Sequence, residues 1–406
     1  MNGDRTRAAS SRRGQGLRNA AAIAGIGYTP FSTDSGVSTT TLACRAILAA
    51  LDDAGLGVAD VDGVATHRVG DSSPPWVVGP ALGIDDPAWY LDQFGGGGVS
   101  HAVIGQAAMA VAAGVAETVV CYRAINARSE FRMGGAGRAP AGAFDLQYQA
   151  PYGLIAPVQH YALLARAHML AYGTTYEQFG RVAIQQRANA ARNPRALKRT
   201  PITMDDYLGA RWISEPFRLL DCCLETDGAC AVVITSAERA RDLRRPAVRI
   251  TGAAWGGGHS TYASGAPGAP SAQADTATSY AARLAPRLFA MAGLGPQDVD
   301  VAELYDCFTW TVLVQLEDYG FCAKGEGGPF VESGATRPGG RLPVNTHGGF
   351  LSEGYVHGIN HITEAVLQLR GAAGDGQVPG AEVALTTGQP GYVLAGTSAL
   401  LLTAAR

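Results

Sequence analysis

Runs of aliphatic and β-branched residues alternate along the chain with longer segments in which apolar positions recur every three or four residues. The runs at 20–28, 62–67, 117–124, 229–236, 247–254, 299–304, 382–387 and 397–403 have strand length and predict buried strands. The periodic segments at 38–54, 99–115, 158–172, 176–191, 280–292, 309–319 and 359–370 predict helices. Strands alternating with helices argue for an α/β fold with parallel sheets covered on both faces. The most apolar stretch, Ala102 to Ala116, contains Gln106 and falls short of the roughly 18 residues a membrane-spanning helix needs.

The pattern repeats. Gly55-Leu-Gly-Val-Ala-Asp-Val-Asp62 returns as Gly293-Leu-Gly-Pro-Gln-Asp-Val-Asp300, each time after a helical segment and before a strand. Gly228-Ala-Cys-Ala-Val-Val-Ile-Thr235 is echoed by Gly396-Thr-Ser-Ala-Leu-Leu-Leu-Thr403. Two echoes in the same order predict two homologous halves, 21–245 and 246–406. The first half is longer, and the excess falls at about 124–215, a stretch rich in Gly, Pro, Tyr and Arg. Such an insert is expected to cover a ligand rather than complete a core.

Composition narrows the function classes. The 406 residues carry 53 Gly, only 17% charged residues and a net charge of −3, which offers nothing to nucleic acid or an anionic membrane. Seven Cys form no disulfide framework in a chain of this length and fit reduced cytoplasmic thiols. Residues 1–20 contain five Arg without a following apolar stretch, which predicts a flexible basic tail rather than a secretory signal.

Four stretches could carry chemistry. Asp92-Gln-Phe-Gly-Gly-Gly-Gly-Val-Ser-His101 leads glycines, among them Gly98, into a helix beginning near Ser100. Bare N–H groups there could hold an anion or position a nucleophile. A dinucleotide fingerprint fits poorly, because the spacing is wrong and no clear strand precedes the run. Glu303-Leu-Tyr-Asp-Cys-Phe308 places Tyr305 and Asp306 where a strand gives way to a helix. Asn345-Thr-His-Gly-Gly-Phe-Leu-Ser-Glu-Gly-Tyr-Val-His-Gly358 is a polar glycine loop holding Asn345, His347, Tyr355 and His357. Thr386-Thr-Gly-Gln-Pro-Gly-Tyr392 turns at Gly388. Each alone could be a structural turn. His357 and His361 have the spacing of a helical metal pair, with Glu364 beyond, but without a His-Glu-x-x-His pattern no metal site is expected.

Taken together, these stretches and the duplicated halves resemble the thiolase superfamily, in particular its sterol-carrier and lipid-transfer members. The resemblance covers about residues 21 to 405 and implies a thiolase-like fold with a duplicated five-layered α-β-α-β-α architecture. Two departures stand out. The family's nucleophilic Cys at the first helix start is missing between Gly95 and Ser100, and its second Cys is missing from Thr386 to Tyr392. Tyr355 aligns with the family's catalytic His and Tyr305 with the residue opening its strand-end motif. Without a thiolate nucleophile, covalent acyl transfer is not expected. Cys230, Cys44 and Cys307 read as small hydrophobes.

The subgroup that these motifs most resemble is the bacterial steroid side-chain retro-aldolases. That resemblance implies a carbon–carbon lyase acting on a β-hydroxyacyl-CoA, with a steroid thioester giving a 17-ketosteroid and propionyl-CoA. Tyr305 and Tyr355 match that subgroup's two catalytic tyrosines; Tyr355 is assigned here as the base and Tyr305 as the acid, an order that the sequence does not fix. Asn345, His347, His357, Asp306, Gly98, Ser100 and Gly388 would support substrate or tyrosines. No cofactor is implied beyond the CoA of the substrate. The implied partners are a second copy, forming a homodimer, and a small OB-fold, zinc-ribbon acyl-CoA-associated protein, together a heterotetramer. The competing expectations are a silent acyl-CoA or lipid binder and a residual acyltransferase using Ser100 or Cys307.

Overall fold

Residues 16–130, 132, 150–257, 277–391 and 396–405 are described by the computed structural model. Residues 1–15 of the expected tail, 131 and 133–149 of the expected insert, and Tyr392 lie outside them. Within the tail, Leu17 is buried and the Asn19 N–H donates to the Ile250 carbonyl.

Nine strands pair across the molecule. They are β1 (Ala21–Tyr28), β2 (Gly63–Arg68), β3 (Trp89–Phe94), β4 (Thr118–Asn126), β7 (Asp227–Ser236), β8 (Val248–Gly257), β9 (Val301–Glu303), β10 (Val383–Thr387) and β11 (Gly396–Ala404). A small hairpin, β5 (Trp212–Ser214) and β6 (Phe217–Arg218), stands apart. The order is β3-β2-β4-β7-β1-β8-β11-β10-β9, and β1 meets β8 over only two residue pairs. Outward from that junction both sides repeat one pattern. β1–β7 and β7–β4 are antiparallel while β4–β2 and β2–β3 are parallel. On the other side β8–β11 and β11–β10 are antiparallel, and β10–β9 is parallel. A bridge from Ala302 to Val344 adds a parallel neighbour beyond β9.

The sheets are therefore mixed rather than parallel. β2 and β3, joined through 69–88, run parallel, as do β9 and β10, joined through 304–382, whereas β10 and β11 are linked by 388–395 and return antiparallel. In the first side the same link, between β4 and β7, is residues 127–226.

The sequence repeat has a structural counterpart. Gly55 and Gly293 end helices α1 (Thr39–Ala54) and Ala281–Ala292 with φ of 77° and 68°, the left-handed cap that glycine adopts without strain. Asp60 and Asp298 then accept from the Gly57 and Gly295 N–H groups at 2.8 and 2.7 Å. Asp62 accepts from Glu117 and Thr118 at the start of β4, and Asp300 from Glu382 and Val383 at the start of β10.

The layers follow from which helix faces are apolar. Leu42, Ala46, Ile47, Ala50 and Leu51 of α1 pack with Ala22, Val64, Val120 and Val233 on the outer face of the first sheet. Two further helices, α3 (Ser100–Ala112) and α11 (Ile359–Leu369), are buried on almost every side. Val103, Ile104, Ile362 and Val366 share one core with Ile23, Val232, Ile250 and Leu400 from both sheets. The remaining outer layer contains α7 (Ala281–Ala292) and α8 (Thr309–Asp318). Between α1 and α3 runs α2 (Pro75–Leu82). Between β4 and β7 run α4 (Pro157–Tyr172), α5 (Tyr176–Ala191) and α6 (Met204–Gly209). After α8 come α9 (Gly327–Glu332) and α10 (Gly349–Ser352).

The segment linking β4 to β7 does more than cover. Tyr161, Phe179 and Phe217 are buried in the same core as Phe308 and Trp310, and the Phe217 and Phe308 rings stack at 4.9 Å. The glycine run also follows a strand after all. β3 escapes the apolar-run criterion because it is a half-exposed edge carrying Asp92 and Gln93.

Candidate active site

Where β9 ends, Tyr305 is clamped at both backbone ends. Its N–H donates to Thr387 Oγ1 at 3.0 Å, and its carbonyl accepts from Thr311 Oγ1 and Gln315 Nε2 at 2.9 and 2.7 Å. Tyr355 comes from the loop between α10 and α11, with its N–H on Thr226 Oγ1 at 3.0 Å. The two phenol oxygens stand 2.6 Å apart and the rings meet edge to face. The Phe350 ring lies edge-on to both, 4.8 Å from Tyr305 and 4.9 Å from Tyr355. Tyr305 is 1% exposed and Tyr355 8%.

Burial pushes both phenols well above the ordinary tyrosine range. Their surroundings differ beyond that. The Cys223 and Cys307 thiols push both further up, and Tyr355 adds to this at Tyr305, whereas at Tyr355 the hydrogen bond from Tyr305 and the Arg123 charge act the other way and offset part of the rise.

The glycine run lies directly against this pair. A side chain at Gly97 would run into the Tyr305 hydroxyl, and one at Gly98 into the Gly396 carbonyl. The Gly97 carbonyl accepts from the Gln389 N–H at 3.0 Å and from Ser100 Oγ at 2.9 Å. At Gly388 the N–H reaches the Ser398 carbonyl at 2.7 Å, while Ser398 Oγ donates to the Gly98 carbonyl at 2.8 Å. Gly98, Ser100 and Gly388 thus build the floor under the tyrosines. Ser100 Oγ is buried, tied to Gly97 and 2.9 Å from His101 Nδ1. Burial keeps the thiols of Cys307 and Cys223 protonated by raising them above the ordinary range. Neither arrangement supplies an activated nucleophile.

Asp306 works on the backbone. Its Oδ1 accepts from the Phe350 N–H at 3.0 Å and its Oδ2 from Leu351 at 3.3 Å, fixing the start of α10, and His361 Nε2 joins Oδ1 at 3.0 Å. Asn345 sits at φ 49° and uses both ends of its amide on Leu304, at 2.7 and 2.9 Å. His347 lies between Glu303 at 3.0 Å and Glu353 at 3.5 Å. Burial alone would lower it, but Glu353 and Glu303 outweigh that and push it up to about 9. Asp306, Asn345 and His347 therefore hold the loop that carries Tyr355.

His357 and His361 part company. His361 joins Asp306 and His347, while His357 turns to Arg123, whose Nε and Nη2 lie 3.2 and 2.8 Å from His357 Nδ1. Possible metal-ligand atoms of Glu303, His347 and His361 lie within 4.8 Å of one another, but the set is already joined as an ion-paired, hydrogen-bonded chain.

Sequence reasoning missed Arg123 and its partner Asp71, 2.5 Å away. A signal existed. One arginine inside the apolar run Thr118–Asn126 is a charge that a buried strand tolerates only with a dedicated partner.

Comparison with known proteins agrees with this architecture. Residues 265–403 match the family described as thiolase C-terminal domain-like. The steroid side-chain-cleaving aldolase of Thermomonospora curvata is 46% identical over 96% of this chain and 99% of its own. The 17-hydroxy-3-oxo-4-pregnene-20-carboxyl-CoA lyase of Mycobacterium tuberculosis is 44% identical over 94% of this chain and 99% of its own. The solved structure of an Ltp2-ChsH2(DUF35) aldolase superposes with a TM-score of 0.89 at 44% identity, over 96% of this chain and 99% of that one. The chain belongs to the thiolase superfamily, in the family of the steroid side-chain-cleaving aldolases.

Proposed function

We propose that this protein is a carbon–carbon lyase, a retro-aldolase that cleaves the Cα–Cβ bond of a β-hydroxyacyl-CoA. The observation that carries the reading is the 2.6 Å contact between Tyr305 and Tyr355 against a glycine floor that has no room for a nucleophile. Tyr355, as phenolate, takes the proton from the β-hydroxyl. The Cα–Cβ bond breaks, its electron pair passes to the thioester as an enolate, and a ketone leaves. Tyr305 then delivers its proton to the enolate carbon. Proton transfer from Tyr355 to Tyr305 across their hydrogen bond restores the starting pair.

The named relatives support a steroid thioester as substrate, and on the reading proposed here its cleavage would give a 17-ketosteroid and propionyl-CoA. Acid and base both come from the chain, so the reading calls for no cofactor beyond the CoA of the substrate. A small OB-fold, zinc-ribbon partner is supported by the likeness to the Ltp2-ChsH2(DUF35) assembly. A homodimer is supported by edge strand β3, where Tyr90 and Phe94 are 62% and 75% exposed. Seven free cysteines suit a reducing cytoplasm.

The test is to co-purify the protein with such a partner and supply a steroid β-hydroxyacyl-CoA. Mass spectrometry should find equal amounts of ketosteroid and propionyl-CoA. Intact substrate, or an acyl-enzyme adduct, would overturn the reading.

A further inference from the structure

We infer that the Nε2–H of His357 is the donor that receives the thioester oxygen as it becomes an enolate, and that Arg123 and Asp71 hold His357 in that tautomer. The inference rests on the retro-aldolase reading for the identity of the oxygen, but the tautomer and the vacant donor are features of the fold.

His357 occupies the left-handed region at φ 48°, an unfavourable place for a side chain with a Cβ. Such backbone persists where the surroundings over-determine it, and such positions cluster at functional sites. Here Arg123 does so. A guanidinium has no acceptor, so the Nδ1 atom it meets must use its lone pair, and the imidazole hydrogen is confined to Nε2. That Nε2 is buried and has no hydrogen-bond partner among the described residues.

Its direction is informative. Nε2 lies 3.6 Å from where a Cβ would stand on Gly96, next to the Gly97 that borders the Tyr305 hydroxyl. The His357 ring centroid is 4.6 Å from that of Tyr355. The donor therefore sits beside the tyrosine pair and the glycine floor. Arg123 Nη1 and His67 Nε2 are also buried without a hydrogen-bond partner among the described residues, and the His67 ring stands edge-on to His357 at 6.1 Å. A buried N–H left without an acceptor is costly, and an incoming oxygen removes that cost.

Charge identifies the occupant as a polarised carbonyl rather than a free anion. Asp71 already neutralises Arg123. The groups facing His357 are Arg123 on β4, His67 on β2, Asp71 just beyond β2 and Tyr355 on its own loop. Burial and then Arg123 push His357 down to about 3, so it stays neutral at working pH. A neutral imidazole can polarise a carbonyl without becoming charged.

Three measurements on the full-length protein decide the matter. In the first, 15N-histidine NMR of the wild type is compared with His357→Gln to assign the ring. An Nε2–H tautomer unchanged from about pH 5 to 9 is expected, and propionyl-CoA should move its proton downfield. A hydrogen on Nδ1, or a ring unmoved by propionyl-CoA because only water occupies the site, overturns the inference. In the second, His357→Ala should lower kcat about 10²–10³-fold with little change in KM, while His357→Gln, which keeps an N–H at the same reach, should stay within about tenfold.

Arg123 and Asp71 are positioning residues. Arg123→Gln combined with Asp71→Asn should let His357 titrate, so that below about pH 6 the fall of kcat/KM with falling pH steepens from one proton to two, a second break that the wild type lacks. An alanine variant as active as the wild type, or an unchanged profile in the double variant, also overturns the inference. If the wild type cleaves no β-hydroxyacyl-CoA, the retro-aldolase reading fails by itself, and the NMR response still decides the role of His357.

Discussion

The hydroxyl oxygens of Tyr305 and Tyr355 stand 2.6 Å apart although the residues are 50 positions apart in sequence. Their backbones are held by different partners, Thr387, Thr311 and Gln315 for one and Thr226 for the other. Removing one hydroxyl should leave both rings in place. Tyr305→Phe and Tyr355→Phe are each expected to lower turnover about 10²–10⁴-fold with unchanged circular dichroism. Wild-type rates in both variants would end the tyrosine mechanism.

The pH dependence has a definite sign. Burial holds both phenols above the ordinary range, so the ionised fraction keeps growing through neutral and mildly alkaline pH. kcat/KM should rise with pH, approaching tenfold per unit between about pH 7 and 9. A profile that is flat, or that peaks near neutrality, contradicts Tyr355 as base.

Gly97→Ala tests the close approach of floor and phenol. The added methyl displaces the Tyr305 hydroxyl or the helix start at Ser100, and a shift of about 1 Å should cost on the order of 10²-fold in kcat. Steady-state kinetics with the thioester read this directly, and near-normal turnover would show that the pair tolerates displacement.

His347 predicts a pH-dependent stability. Its folded value of about 9 lies above the unfolded value near 6.5, so its contribution is complete below about pH 6.5 and disappears as pH climbs through 9. His347→Gln should therefore be less stable than the wild type at pH 6, on the order of 2–3 kcal/mol, with the gap closing near pH 10. Denaturant melts at the two pH values check it. A gap of constant size would mean that His347 is not charged in the folded protein.

Much of this was legible in the chain because local signals agreed with the fold. The repeated glycine and aspartate positions mark the same helix cap and the same strand-start bonds in each half. The helix expected at 176–191 from its apolar period stands at those bounds, with Thr175 capping its start. Strand direction was not legible, because it depends on which strands become neighbours. Nor was β3, whose half-exposed residues break the apolar run that identifies its buried neighbours. In the site, Tyr305 and Tyr355 stand in recognisable motifs and Arg123 is marked as a charge inside an apolar run, yet its partner Asp71 carries no such mark, since their partnership spans two strands and a loop. His347 and Asn345, expected to support substrate or tyrosines, hold the loop that carries Tyr355, and the sequence did not say which of the two they would support. A polar residue in a glycine-rich turn looks the same in sequence whether it faces a ligand or a carbonyl.

The crowding between Gly97 and the Tyr305 hydroxyl makes two chemistries mutually exclusive in this fold. A side chain at 97 and a phenol at 305 compete for one volume, so returning a thiol to the floor would displace the ring beside it. Grafting a cysteine there without also shrinking residue 305 would therefore yield neither chemistry.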